Sequence, residues 1–156
     1  FLLGKTYDKL QTFVPIQDYQ IDHYKNRFLK YINPGFIKCV TDENDELVAF
    51  AITMPSFSNA LKKINGKVDF IGKLRLLHAK NFNHKGSLYL IGVRPDFQNK
   101  GVIAILFNEL QKFYNKFGIT EVETNPELIE NAAIQQLWKN YENNQHKNRA
   151  TFTKEI

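Results

Sequence analysis

The stretch from Val93 to Val102 combines residue types that bind an anion. It reads Val-Arg-Pro-Asp-Phe-Gln-Asn-Lys-Gly-Val and separates an apolar run from an amphipathic one. A helix that begins near Gly101 leaves its first amide N–H groups without partners, and its dipole is positive at that end. A glycine there lets a phosphate approach the main chain, and Lys100 adds a positive charge. The alternative is an ordinary strand–loop–helix turn whose basic residues are solvated.

Two elements must position this stretch. Residues 88–93 are apolar on both faces, which is typical of a central strand, and Pro95 ends that strand because proline cannot donate to a sheet ladder. Beyond the turn, apolar residues recur at helical spacing and Gly118 closes the helix. The stripe consists of Ile103, Leu106, Leu110, Phe113 and Phe117.

The same stretch resembles the acetyl-CoA-binding motif of the GNAT N-acetyltransferase superfamily. That pattern is a valine–x–proline strand end followed by Gln/Arg-x-x-Gly-x-Gly/Ala at the start of a helix. Val93, Pro95, Gln98 and Gly101 match it. The last small residue does not match, since Ile103 stands where the family has glycine or alanine.

The resemblance implies a cofactor, acetyl-CoA or another acyl-CoA. In this family the strand after the cofactor helix, here residues 119–124, splays away from the cofactor strand. Pantetheine lies in the gap between them and would pair with the exposed main chain of Ile91, Gly92 and Val93 as if it added a strand. The implied cofactor-binding residues of this half are Ile91, Gly92, Val93, Gln98, Asn99, Lys100, Gly101, Val102 and Ile103.

A second stretch, residues 131–141, resembles the family signature Asn-x-x-Ala-x-x-Leu-Tyr-x-x-x-Gly-Phe. Asn131 matches the residue that contacts the pantetheine arm, and Leu137 matches the packing leucine. Ile134 replaces the alanine, Trp138 replaces the tyrosine, and the glycine–phenylalanine ending is missing. The resemblance adds Asn131 and Trp138 to the cofactor-binding residues.

The tyrosine replacement bears on catalysis. In many members that hydroxyl protonates the departing thiolate of CoA, whereas an indole N–H is no practical acid. Tyr141, three residues after Trp138 and on a nearby helix face, is the candidate acid, and an aromatic that packs under the helix is the alternative. Glu123, or a water held near it, is the candidate base; Glu121 projects to the same face, so one of the pair can be structural.

Residues 57–87 form a basic insertion relative to a compact member of the family. Seven lysines and arginines stand against Asp69 alone, so seven minus one gives a local excess of +6, larger than the +5 of the whole chain. Two short helices are expected, at 60–64 and 74–79. One interpretation is a solvated cover that packs Phe70, Ile71, Leu74 and Leu77 on the core. The other is a lid over the acceptor groove that favours an acidic substrate or steers the anionic cofactor.

The remaining pattern predicts the fold class. We expect a helix at 22–32, a hairpin of strands 36–41 and 46–54, and a last strand within 146–156. This order corresponds to an α/β fold of GNAT type: a mixed, largely antiparallel sheet with helices on both faces and a splayed cofactor groove.

Composition limits the other classes. Residues 1–156 are enough for one domain, and the pattern around 125–147 resembles a bacterial branch in which such a domain ends a longer chain. The lone Cys39, expected to be buried, excludes an internal disulfide and fits a cytoplasmic location. His78 and His84 lack an acidic cluster, so we expect no metal site. No apolar run is long enough to span a membrane, and no motif indicates nucleic acid.

The implied function is transfer of an acyl group, acetyl in the first instance, from acyl-CoA to a primary amine. A small-molecule or peptide amine is the expected acceptor, with neither membrane nor nucleic acid as a partner. A preceding domain or a second copy of the chain is the expected protein partner. Two alternatives stay open: a non-catalytic CoA-binding or partner-binding module, and an aminoacyl transferase of the peptidoglycan type whose basic insertion contacts transfer RNA.

Overall fold

A computed structural model describes residues 17–27, 32–129 and 131–154. These residues form four strands, five α-helices and two short 3-10 turns, Pro34–Phe36 and Pro95–Phe97. In chain order the helices and strands are α1 Asp18–Arg27, β1 Ile37–Thr41, β2 Leu47–Pro55, α2 Ser58–Ile64, α3 Phe70–Asn81, β3 Lys85–Val93, α4 Val102–Phe117, β4 Glu121–Thr124 and α5 Ala132–Trp138.

The strands form one sheet in the order β1-β2-β3-β4. The first three are antiparallel neighbours, with Cys39 opposite Phe50 and Phe50 opposite Gly92. The carbonyl oxygen of His84, just before β3, accepts from the amides of Thr120 and Glu121 at 2.8 and 3.2 Å. β3 and β4 therefore begin side by side and run in the same direction, joined through α4. The predicted α/β class with a mixed, largely antiparallel sheet is confirmed.

The core lies where α4 crosses the sheet. Four successive residues of β2, Val48 to Ala51, are buried, so the sheet is covered on both faces there. Val48, Val93 and Leu106 belong to one buried cluster that joins β2, the end of β3 and α4. This cluster fixes the end of β3 against the first turns of α4, which are the elements that flank the candidate anion site.

The far end of α4 packs against the chain before β1. A side chain at Gly35 would collide with the ring of Phe113, so only glycine fits there. The rings of Phe36 and Phe113 lie edge to face with centroids 4.9 Å apart. α4 ends as predicted at Gly118, whose φ of 68° is in the left-handed region.

The insertion folds as two helices joined by a turn at Asn65 and Gly66, both with positive φ. The Asp69 side chain caps α3 by accepting from the amide of Gly72 at 2.7 Å. The expectation that the large apolar residues of this insertion pack on the core is wrong. The residues of α3 that are buried are the small ones, Gly72 and Ala79, and the large apolar residues that we expected on the core, Phe70, Ile71, Leu74 and Leu77, are exposed.

Three further expectations differ from the structure. The first helix spans Asp18–Arg27 instead of 22–32, and residues 28–31 lie outside the described part. Residues 142–154 form neither strand nor helix, so the last strand expected within 146–156 is not found in the part of it that the structure describes. Cys39 is exposed, since it lies on β1 at the edge of the sheet.

The chain divides into two compact units, Phe1–Glu123 and Thr124–Ile156. The first contains the turn between β3 and α4, and the second contains α5. Across the described ranges no helix has the length and apolar character needed to cross a bilayer.

Candidate functional site

The end of β3 presents main-chain groups on the side opposite β2. The amide of Arg94 donates to the carbonyl of Val48 at 2.8 Å, which makes these two residues a hydrogen-bonded pair. Because such pairs alternate along an antiparallel ladder, the N–H and C=O groups of Val93 and Ile91 point away from β2. Those of Gly92 point toward β2. Of the three residues expected to pair with pantetheine, Ile91 and Val93 therefore have the required direction, and Gly92 does not.

The loop after β3 is built from two turns. Pro95–Phe97 forms a 3-10 turn in which the amide of Phe97 donates to the carbonyl of Arg94 at 2.9 Å. Asn99 then takes a φ of 61° and Gly101 a φ of 76° with ψ of 0°. The left-handed region is accessible to asparagine and favours glycine, which explains the residue types at both positions.

The first turn of α4 leaves donors available at this loop. The carbonyl of Gly101 accepts from the amides of Ala104 and Ile105 at 3.0 and 3.3 Å. Within the described residues, the N–H groups of Gly101, Val102 and Ile103 have no acceptor. A Cβ placed on Gly101 would meet no atom within 4 Å, so the main chain is open at this point. Open space, unpaired N–H groups and a positive helix end together fit an anion.

The bulky residue at position 103 does not obstruct this opening. Ile103 is half-buried and packs against the core cluster, and Val102 is buried. Gln98, Asn99 and Lys100 are exposed, and the Lys100 ammonium lies 5.3 Å from the centre of the Phe97 ring. Although Ile103 replaces the small residue of the family pattern, its amide therefore still lies at the open start of the helix.

Arg94 holds the loop to the β1–β2 turn, a role that the sequence analysis missed. Its guanidinium contacts three carboxylates: Nε lies 2.8 Å from Asp96, Nη1 3.1 Å from Glu46 and Nη2 3.2 Å from Asp42. It also lies 4.5 Å from the centre of the Phe97 ring. The acidic residues of the turn at 42–46 could have indicated carboxylate partners for an arginine. Only the sheet register, however, brings this turn beside Arg94.

The pKa directions follow from these contacts. Burial acts to raise the pKa of Asp42, but the amides of Glu46 and Asn44 and the Arg94 guanidinium outweigh it, so this pKa lies below its usual value. The hydrogen bond from Arg94 likewise lowers the pKa of Asp96. Both carboxylates are therefore charged near neutral pH, and Arg94 is neutralised by them instead of being a free cation for a ligand.

The two glutamates of β4 differ in their surroundings. Glu121 lies 2.5 Å from the Lys85 ammonium, which lowers its pKa, so this carboxylate joins the starts of β3 and β4. Glu123 is half-buried, two residues closer to the end of the strand. The ion pair gives Glu121 a structural role, and the role of Glu123 as the base stays a prediction.

The second unit contains the other predicted site residues. The Asn131 side chain accepts from the amide of Ile134 at 3.4 Å and caps α5. The Trp138 indole N–H donates to both carboxylate oxygens of Glu127, at 3.0 and 2.9 Å. A contact between Trp138 and a cofactor would therefore use the ring and not the N–H group. Glu127 was not among the predicted residues.

Tyr141 follows α5 and stays at the surface. Its amide donates to the carbonyl of Trp138 at 3.0 Å, and the two rings meet edge to face with centroids 6.2 Å apart. The residue is 41% exposed. Among the described residues, no group of three or more His, Cys, Asp or Glu side chains could hold a metal ion.

Three solved structures illustrate what this fold is similar to, and two of them are named as N-acetyltransferases. The aminoglycoside 6'-N-acetyltransferase AAC(6')-IG from Acinetobacter haemolyticus is 13% identical, with a TM-score of 0.57 over 99% of this chain and 92% of that one. A ribosomal-protein-alanine N-acetyltransferase from Brucella melitensis biovar Abortus 2308 is 14% identical, with a TM-score of 0.57 over 97% and 87%. AAC(6')-Iy, solved with the bisubstrate analogue CoA-S-monomethyl-acetylneamine, is 14% identical, with a TM-score of 0.54 over 97% and 88%.

The sequence comparisons agree with the fold. No curated protein matches the chain significantly. The family model described as Acetyltransferase (GNAT) family matches residues 6–140, which include the first resembling stretch and all but the last residue of the second. The chain therefore belongs to the GNAT acetyltransferase family.

Proposed function

We propose that the chain is an acyl-CoA-dependent N-acyltransferase that transfers an acetyl group to a primary amine. The observation that carries the proposal is the first turn of α4. There the left-handed Gly101 opens the main chain, and the N–H groups of Gly101, Val102 and Ile103 have no acceptor within the described residues. These are the donors and the space that a diphosphate requires.

The residues of the first unit fit acyl-CoA in two places. The α4 turn, with Lys100 beside it, would hold the diphosphate. The outward C=O group of Val93 and the outward main-chain groups of Ile91 lie on the side where the pantetheine amides would pair. Bound acyl-CoA supplies a thioester whose carbonyl carbon is the electrophile, and the Val93 N–H would stabilise negative charge on the carbonyl oxygen.

Two protons must be managed during transfer to an amine. Glu123, or a water held near it, would take the proton of the attacking amine. The Tyr141 hydroxyl would donate a proton to the leaving thiolate. Trp138 cannot fill that role, because its N–H is engaged by Glu127 and is a very weak acid.

An amine is the acceptor chemistry that the similar structures share. One of them is named for aminoglycoside 6'-N-acetylation, and one is named for the alanine of a ribosomal protein. These acceptors differ in size and kind but both present an amine. We therefore propose a small-molecule or peptide primary amine for this chain.

One observation favours a second candidate, a CoA-binding module without catalysis. Trp138 stands here in place of the tyrosine that donates a proton in many members. Its indole N–H donates to Glu127. If Tyr141 does not supply the proton, the site would bind the cofactor and not turn it over.

Two measurements separate these candidates. Acetyl-CoA and CoA at millimolar concentration should raise the melting temperature of the protein, because a ligand that binds only the folded state stabilises it. Release of free thiol over a panel of primary amines then tests transfer. Stabilisation without thiol release would favour the binding module, and absence of stabilisation would contradict both. Salt-sensitive binding of transfer RNA would instead favour an aminoacyl transferase.

A further inference from the structure

The outward surface of α3 is apolar, although α3 belongs to the most basic part of the chain. Four large side chains on this twelve-residue helix are exposed by more than half: Phe70 at 75%, Ile71 at 58%, Leu74 at 51% and Leu77 at 55%. We propose that this surface, the α3 outer face, binds the surface of an anionic phospholipid bilayer.

The helix geometry places these residues together. Phe70, Leu74 and Leu77 are spaced by four and three residues, so they lie on one side of the helix, and Ile71 adjoins them. The buried residues Gly72 and Ala79 lie on the opposite side, against the protein. Gly72, Ala79 and the half-buried Leu76 thus face inward, while four large apolar residues face solvent on the side where an ordinary surface helix is polar. Contiguous exposed apolar surface of this kind indicates an interaction site.

Cations border the apolar residues on both sides. Lys73 and Lys80, seven residues apart, lie along one edge, and Arg75 lies on the other, where it donates to the carbonyl of Lys63 at 3.0 Å. Five lysines of the insertion form no ion pair within the described residues: Lys62, Lys63, Lys67, Lys73 and Lys80. The insertion has an excess of +6 in a chain of +5, so the rest of the chain is at −1.

Charge complementarity indicates which partner binds the α3 outer face. A second copy of the chain would bring like-charged surfaces together around a two-fold axis, which is unfavourable. A nucleic acid would use the lysines but would leave the four apolar side chains in water. An anionic bilayer satisfies both features, since apolar side chains enter the interface while lysines contact the headgroups. We expected no membrane partner because no segment could span one, but a helix that lies on the bilayer surface needs no such segment.

Vesicle co-sedimentation of the full chain tests the proposal. Vesicles of phosphatidylcholine with phosphatidylglycerol should retain the protein at low salt, and phosphatidylcholine alone should not. Leu74→Ser should weaken retention about tenfold or more, because the leucine no longer enters the interface. Lys73→Gln with Lys80→Gln should weaken it on the order of twentyfold, since each lysine near the surface contributes about fivefold. The matched controls are Ile105→Ser, which removes an exposed apolar residue of α4, and Lys116→Gln; both should bind as the unchanged protein does.

Three outcomes would overturn the proposal. The first is that protein with a normal melting curve is not retained by anionic vesicles at low salt. The second is retention that both α3 variants leave unchanged. The third is retention on poly-glutamate or on double-stranded DNA with none on vesicles, which would assign the α3 outer face to an acidic polymer. The exposure of Leu74 and the lysines means that the variants should fold, and their melting curves provide the check.

Discussion

The guanidinium of Arg94 lies 3.2 Å from the carboxylate of Asp42, although 52 residues separate them in the chain. Both side chains are largely buried, with 19% and 14% of their surface exposed. The pair joins the turn between β1 and β2 to the loop that leads into α4. Arg94 thus positions the proposed diphosphate site without contributing its charge to a ligand.

Replacement of Arg94 by glutamine should loosen that loop. Asp42 would lose its cation in a largely buried position, and we expect a lower melting temperature. We also expect about tenfold weaker binding of CoA, because the Gly101 turn would no longer be held in place. Calorimetric titration and thermal melting measure the two effects. Lys112→Gln is the control, since it removes an exposed ion pair with Glu109 on α4 and should change neither quantity appreciably.

The same cluster should make stability depend on acid pH. A carboxylate whose pKa is lowered by folding stabilises the folded state above its unfolded pKa, and this contribution is lost as the pH falls through the folded pKa. For Asp42 the loss should begin at about pH 4, the value of an unperturbed aspartate. Asp42→Asn should therefore melt below the unchanged protein at neutral pH, and the difference should shrink toward about pH 3. A difference independent of pH over that range would exclude this carboxylate as the cause.

Gly101 should matter to the cofactor more than to stability. Gly101 and Gly66 have φ values of 76° and 78°, and both have open space where a Cβ would project. Gly101→Ala and Gly66→Ala should therefore destabilise the protein alike, by about 1 kcal/mol. Only Gly101→Ala should weaken CoA binding, because the new methyl group occupies the opening at the helix start. Equal CoA affinity for the two variants would place the diphosphate elsewhere.

Tyr141 should act through its hydroxyl. Tyr141→Phe keeps the ring that meets Trp138 and removes the proposed acid, so the rate of thiol release should fall about tenfold or more with little change in stability. Tyr114→Phe is the control, because that hydroxyl is buried on α4 and belongs to none of the proposed site residues. Its loss should leave the rate unchanged. An unchanged rate for Tyr141→Phe would remove this residue from the mechanism.

Local patterns predicted the elements around the site. The apolar run before Pro95 predicted β3, and the apolar stripe that ends at Gly118 predicted α4. Both predictions were possible because strand and helix spacing are visible in a single sequence. The hairpin of β1 and β2 was also predicted, and its antiparallel pairing is confirmed.

The parts that could not be predicted depend on long-range packing. Nothing in the sequence near Arg94 shows that Asp42 and Glu46 lie beside it, because the sheet register decides this. The engagement of Trp138 by Glu127 depends on how the loop before α5 folds back. Apolar spacing predicted a helix at α3. It did not show which side of that helix packs on the protein, because this depends on whether the space beneath it accepts large or small residues.

Hydrogen exchange at the start of α4 tests the central proposal most directly. The amides of Val102 and Ile103 have no acceptor within the described residues, so they should exchange rapidly in the free protein. Saturating CoA should slow their exchange strongly, while the exposed turn at Asn65 and Gly66 should be unaffected. Measurable CoA binding that leaves the exchange of Val102 and Ile103 unchanged would contradict the proposal that these groups hold the diphosphate.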